Sequence, residues 1–419
     1  MRTPRFVASI GLAAVLFSTL TFAQHYTQTN LVSNVPGKAP VTDPNLQNPW
    51  GLVASPTSPW WVSNNAGGTS TLYATPTGTA ATIVPLVVTV PNAPSQPAPG
   101  SPTGIMFNGS ATDFLLAPGA RAIFIFVTED GTISGWNPGV QPTTAVIKVD
   151  NSQAPNAANG AVYKGATIVE IDGKKFILAA NFRSGRIDVF DTNFKQVKIS
   201  EEAFDNDRIP RDFAPFNVQA IGPNIYVTYA KQDAAKHDPV GGTGFGFVAV
   251  FSSHGRLLTH LQHGPWFNAP WGVVLTTAHF GEFTHALLVG NFRSGTIAAF
   301  NPLTGRFLGN VLNPDGTTLS IDGLWALTFG NDHNAGPATT LFFTAGINGE
   351  KDGLFGTLLP VAAELGEDDE QYVIVSRYEK NKQGPLHRGP LFFGVRQSRR
   401  QVDYISAGKG SSGTAGSGR

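Results

Sequence analysis

The sequence contains no cysteine. Disulfides, thiolate-held metals, a cysteine nucleophile and covalently attached c-type haem are all excluded, so core packing and topology alone must hold the fold. Charge is scarce too: Asp, Glu, Lys and Arg make up 14% of the 419 residues, against roughly 25% in an average soluble domain. The 29 basic and 29 acidic side chains cancel. No net field draws the chain to nucleic acid or to an anionic membrane, and neither is expected as a partner. After the first 22 residues no apolar run is long enough to suggest a spanning helix.

Glycine (47) and proline (30) are abundant, as in a chain of many short elements joined by tight turns. The 29 Phe, 7 Trp and 8 Tyr supply ample core, each large side chain contributing about 1.5–3 kcal/mol when fully buried. At the N-terminus, Arg2 and Arg5 precede an apolar stretch from Phe6 to Phe22, and Thr21-Phe22-Ala23 ends it as a signal-peptidase site would. Residues 1–23 are expected to be a signal peptide. The mature protein is then exported, periplasmic or extracellular, without a membrane anchor.

Internal repeats decide the fold class. Short apolar runs opened by Gly or Asn recur at Trp50-Gly51-Leu52, Thr103-Gly104-Ile105, Lys164-Gly165-Ala166, Phe216-Asn217-Val218, Trp271-Gly272-Val273 and Asp322-Gly323-Leu324. The steps are 53, 61, 52, 55 and 51 residues. Each unit adds a second strand and a third carrying an aromatic: Tyr73, Trp136, Phe190, Phe251, Phe300 and Phe355. β-Branched and aromatic residues alternate with small ones, and turn signals break every run before helical length, so these are strands. Units one to five continue into a fourth strand, as at Ala81–Val90, Ala145–Val149 and Arg306–Val311. Unit six lacks one, while Tyr26–Val35 has no unit of its own. An all-β, six-bladed β-propeller over residues 26–360, closed by its N-terminal strand, leaves no open sheet edge at the seam.

In unit three, Phe176-Ile177-Leu178-Ala179-Ala180-Asn181-Phe182-Arg183-Ser184-Gly185-Arg186-Ile187-Asp188-Val189-Phe190-Asp191 resembles the NHL repeat. In that pattern a strand ending in a small residue and Asp leads through a polar hairpin to Arg-Ile-x-x-Phe; here Asn181 stands at the Asp position. With Asn48-Pro49-Trp50-Gly51-Leu52, the paired Asn-Phe-Arg-Ser-Gly and Gly353-Leu354-Phe355-Gly356-Thr357-Leu358, residues 28–360 look like an uncharacterised family of secreted bacterial NHL-like propellers. Some members end in a PEP-type sorting tail, which this chain lacks. The resemblance implies a fold and export, and no activity. Residues 361–419 differ: they hold 16 charged residues and end in a Gly/Ser-rich stretch. Disorder is expected there, with a short strand possible at Gln371–Ser376.

In an antiparallel four-stranded blade, the loops between blades and the hairpins joining second to third strands share one face. Asn64, Asn181 and Asn291 each stand nine residues before the third-strand aromatic and four before a Gly. Such residues suit tight hairpins through positive φ and turn hydrogen bonds, yet three amides in one register also make candidate ligand contacts. Arg183 and Arg293 are repeated in two hairpins, and turns need no guanidinium; they could take carboxylate or sugar-acid groups bidentately. Trp271 and His237, the latter in the long loop from Lys231 to Gly242, complete the candidate set.

Metal and acid–base signals are weak. His254, His260 and His263 lack ligand spacing, and no nucleophile elbow or phosphate loop is present. No cofactor is expected. Six-bladed lactonase-like hydrolases resemble this fold and hold a divalent ion in the channel with Glu, Asp and Asn; the sequence offers the Asn but no matching Glu. The leading expectation is a monomeric, non-catalytic propeller binding a carbohydrate, peptide or protein on one loop face. The alternative is a hydrolase or lyase with a divalent cation such as calcium in the central channel.

Overall fold

The computed structural model describes residues 25–361 and two short strands, Val373–Val375 and Phe393–Val395. Residues 25–361 form the six expected blades. Their inner strands are Pro49–Val53, Pro102–Phe107, Tyr163–Ile171, Phe213–Ile221, Pro270–Leu275 and Leu324–Phe329. Each runs antiparallel to a second strand, as Trp60–Asn64 does in blade 1, and meanders outward through a third and a fourth. Blade 6 is completed by Tyr26–Ser33, which pairs antiparallel with Leu354–Pro360 from Tyr26↔Pro360 to Ser33↔Leu354. Ser33 Oγ donates to the Gly353 carbonyl (2.7 Å) and Tyr26 Oη to the Phe280 carbonyl (2.8 Å), fastening both ends of the seam. Closure by the N-terminal strand thus holds.

Burial follows strand order. All five residues of Trp60–Asn64 are buried, because a second strand is packed on both faces. Thr82–Thr89, at the rim, reads half-exposed. Between neighbouring blades the facing side chains merge into apolar clusters, such as Met106, Ile125, Val127, Tyr163, Ile177 and Phe190.

The glycine register has a steric cause. A Cβ on Gly51 would lie 2.5 Å from the Thr103 carbonyl oxygen, and one on Gly272 would lie 2.5 Å from that of Trp325. Adjacent inner strands approach so closely there that a side chain has no room. The sixth unit is displaced from the sequence reading by three residues. Ala326, not Gly323, occupies the inner-strand position, and Leu358, not Phe355, pairs with the first residue of the second strand, Leu341. Gly323 is a turn residue with φ +65°.

The signal peptide expected at 1–23 lies outside the described residues, as does most of 362–419, where disorder was expected. Within that segment Val373–Val375, inside the strand allowed at 371–376, pairs antiparallel with Phe393–Val395. Among the described residues no helix is long and apolar enough to cross a membrane.

Candidate functional site

Every inner strand carries a bulge at the same place, seen as a register shift at Pro49/Leu52, Pro102/Ile105, Tyr163/Ala166, Pro215/Asn217, Pro270/Val273 and Leu324/Leu327. Bulges bend a strand and re-aim a side chain. The residue before each register Gly, Asn or Ala is in turn Trp50, Thr103, Lys164, Phe216, Trp271 and Trp325. Four of these are aromatic and they plug the axis: Trp50 stacks on Trp325 (centroids 3.5 Å), and Trp271 and Phe216 meet the pair edge-on or tilted at 5.8–6.3 Å. Phe292 stacks on Trp325 from outside (3.9 Å). Such ring pairs add about 0.5–1.5 kcal/mol each beyond burial.

Polar side chains stitch the plug's backbone across blades. Thr344 Oγ1 donates to the Trp50 carbonyl (2.7 Å), Thr103 Oγ1 to that of Tyr163 (2.9 Å) and Asn217 Nδ2 to that of Trp271 (2.8 Å).

Lys164 is the exception in the ring, a cation at a position otherwise filled mostly by aromatics. Its side chain is 0% exposed, and its Nζ lies over the rings of Trp50 (5.2 Å) and Phe182 (5.6 Å). It donates to Glu129 Oε1 and to Asp238 Oδ1, the latter at 3.4 Å. A buried ammonium is tolerable only when paired in this way. Glu129 stands in the second-to-third-strand hairpin of blade 2, and Asp238 in that of blade 4.

From this pair a chain of contacts runs around the mouth. Glu129 Oε2 accepts from Asn65 Nδ2 (2.8 Å), and Asn65 Oδ1 from Asn48 Nδ2 (3.3 Å). Asn48 Nδ2 also donates to Glu350 Oε2 (3.3 Å), and Glu350 stands 4.0 Å from Arg293 Nη1. Arg293 donates through Nε and Nη2 to the Pro239 carbonyl (3.2 and 3.0 Å), returning to the blade 4 hairpin. Asn65, Glu129, Asp238, Arg293 and Glu350 come from five different hairpins, with His237 beside Asp238. Local electrostatics are uneven. Burial pushes the Glu350 carboxyl up, against the pull of Arg293. The hydrogen bond to Asp238 (3.1 Å) raises His237, and the same bond, helped by Lys164, holds Asp238 well below the usual carboxylate range.

The residues singled out from the sequence fall into three groups. His237 and Arg293 join the cluster, and Trp271 is in the plug. The three amides do not converge on the channel: they are buried and used by their own blades. Asn64 Nδ2 donates to Thr71 Oγ1 (3.0 Å), Asn181 Nδ2 to Asp188 Oδ2 (2.9 Å) and Asn291 Nδ2 to the Trp266 carbonyl (3.0 Å). Arg183 Nη1 donates to the Gly160 carbonyl (3.0 Å), so it ties down the loop between blades 2 and 3. Glu129 and Glu350 both reach the mouth, where their amide partners are Asn65 and Asn48 and not the three repeated Asn. Glu129, Lys164, Glu350, Asn48 and Asn65 were missed. One signal was available: a lysine in a register where three of the six units, as spaced in the sequence, place an aromatic ring.

Could the mouth hold a divalent cation? Glu129, His237 and Asp238 each offer a ligand atom, all within 4.8 Å of one another. Yet the Lys164 ammonium bonds both carboxylates from a fully buried position. It supplies the positive charge that an ion would bring, so the set as built does not fit a metal.

No family model matches the chain. Two uncharacterised proteins of Acanthamoeba polyphaga mimivirus are similar to it over most of their length. One is 30% identical over 335 residues, spanning 78% of this chain and 78% of the relative. The other is 31% identical over 340 residues, spanning 78% and 84%. The chain belongs to their family. These members are viral, whereas the NHL-like resemblance pointed to bacteria. Among solved structures, an α-L-arabinanase of Penicillium chrysogenum is similar at 10% identity and a TM-score of 0.50, over 80% of this chain and 98% of that one. A gluconolactonase of Xanthomonas campestris is similar at 12% identity and a TM-score of 0.38, over 74% and 99%. At 10% identity the likeness to the arabinanase is one of fold alone.

Proposed function

We propose that this family member is an exported, monomeric, non-catalytic propeller that binds a carbohydrate or peptide carrying charged groups at its hairpin mouth. The observation that supports this most is the convergence of Asn65, Glu129, His237, Asp238, Arg293 and Glu350 around one buried lysine. Such a set offers charge-assisted hydrogen bonds of both signs, on loops held by a rigid scaffold. Asp238, Arg293, His237 and Glu350 keep 58%, 38%, 37% and 33% side-chain exposure, and Arg293 and Glu350 offer a ligand one charge of each sign. A glycan and peptide array probed with the wild type and with an Arg293→Ala, Glu350→Gln double variant tests the reading. Hits on the wild type that vanish in the folded variant are expected; hits shared by both would refute it. Export rests on the Arg2-to-Ala23 pattern, and N-terminal sequencing of protein recovered outside the producing cytoplasm should begin at Gln24.

A hydrolase or lyase that uses a divalent cation is favoured by the three donors near one another and opposed by Lys164 among them. Elemental analysis after exposure to calcium, manganese and zinc separates the readings. Stoichiometric metal would favour the enzyme.

A further inference from the structure

Below the plug the channel opens again, away from the hairpin mouth, into a cavity of about 410 Å³. All six inner strands line it, from the register positions down to the strand ends at Val53, Phe107, Ile221 and Leu275 and to Ile168 and Thr328 in the other two. The volume lies in the range of small-molecule sites, about 300–1,000 Å³. None of the described residues lining it is charged. The side chains are apolar, such as Leu52, Ile105, Met106, Val273 and Leu327, or neutral, such as Gln219 and Thr328. An inner strand pairs with another strand on one side only, so its other edge turns backbone N–H and C=O groups outside the ladder toward the axis, a few of them already taken by side chains, as the Ala220 N–H is by Thr167 Oγ1 (3.3 Å). The cavity thus combines hydrogen-bonding edges with apolar flanks and holds no counter-charge for an ion.

We propose that this half of the channel is a second binding site, for an uncharged polyol of mono- or disaccharide size. The site is independent of the hairpin mouth. Hydroxyls would meet the strand edges, and C–H faces the apolar flanks. A carboxylate or ammonium on the same molecule would be desolvated without a partner, which selects against it. The two ends of the channel therefore take ligands of opposite character.

Calorimetric titration of the full chain tests this with neutral probes (glucose, xylose, mannitol, sucrose) and charged counterparts (glucuronate, glucosamine). Binding of at least one neutral probe is expected, with charged counterparts weaker by about tenfold or more, as the loss of a paired hydrogen bond or more would give. Gln219→Trp, which fills the cavity from a half-buried position, should abolish binding. Thr328→Phe should do the same from another blade and guards against a folding failure in the first variant. The Arg293→Ala, Glu350→Gln protein should bind the neutral probe unchanged, which separates this site from the hairpin mouth. No heat with any probe, equal affinity for charged counterparts, or unchanged binding in both filled variants would overturn the proposal.

Discussion

Replacing Lys164 by Met removes one charge while keeping most of the side chain's length. Its partner Glu129 is only 10% exposed, so the substitution leaves a nearly buried carboxylate without a counter-ion. Breaking a buried pair in this way typically costs about 3–5 kcal/mol. The contact with Asp238 adds little, about 0–1 kcal/mol, because Asp238 is 58% exposed and water screens it. A loss of roughly 3–5 kcal/mol is therefore expected for Lys164→Met. Adding Glu129→Gln should restore about 2 kcal/mol or more, because neutralising both partners removes the orphan charge. Urea unfolding near neutral pH, followed by the fluorescence of the plug tryptophans beside Lys164, measures both variants. A loss under about 1 kcal/mol for the single variant, within the range of an exposed pair, would refute the reasoning. A double variant no better than the single one would do the same.

Three further outcomes follow from the same structure. Burial raises the Glu350 carboxyl, so the folded state favours its protonated form and loses stability as pH rises above the ordinary glutamate value of about 4.3. Glu350→Gln should therefore gain stability near neutral pH, by less than about 1 kcal/mol given its exposure, and gain nothing once pH is below that value; parallel denaturation at both pH values checks it. Gly272→Ala pushes a methyl against the Trp325 carbonyl and should cost about 1–3 kcal/mol, read as a lowered urea midpoint with an unchanged slope. Deleting residues through Ser33 strips the closing strand from Leu354–Pro360 and exposes a long sheet edge, so size-exclusion chromatography should show association or aggregation instead of the intact chain's single peak.

The propeller was legible because its determinants repeat. Glycine at the crowded inner register, aromatics in the third strands and an unpaired N-terminal strand all recur or fail to recur at countable intervals. Blade 6 misled by three residues because Ala326 fills the glycine's place while a turn glycine stands nearby at Gly323. The mouth was harder to read. Asn64, Asn181 and Asn291 drew notice by repeating, and repetition is what a structural hairpin residue shows. Glu129, Lys164 and Glu350 repeat nowhere; they share one cluster only when the ring closes and brings together residues as far apart as Asn48 and Glu350, 302 positions apart in the chain. In such a fold the functional signal is the break in the pattern, as with one lysine among aromatic rings.

A crystal structure of the mature chain with a ligand selected on the array tests the central claim most directly. The ligand is expected at the hairpin mouth, within hydrogen-bonding distance of Arg293 or Glu350 and with Lys164 still paired to Glu129. A ligand seated on another surface, or a metal ion in place of the Lys164 ammonium between Glu129 and Asp238, would contradict it.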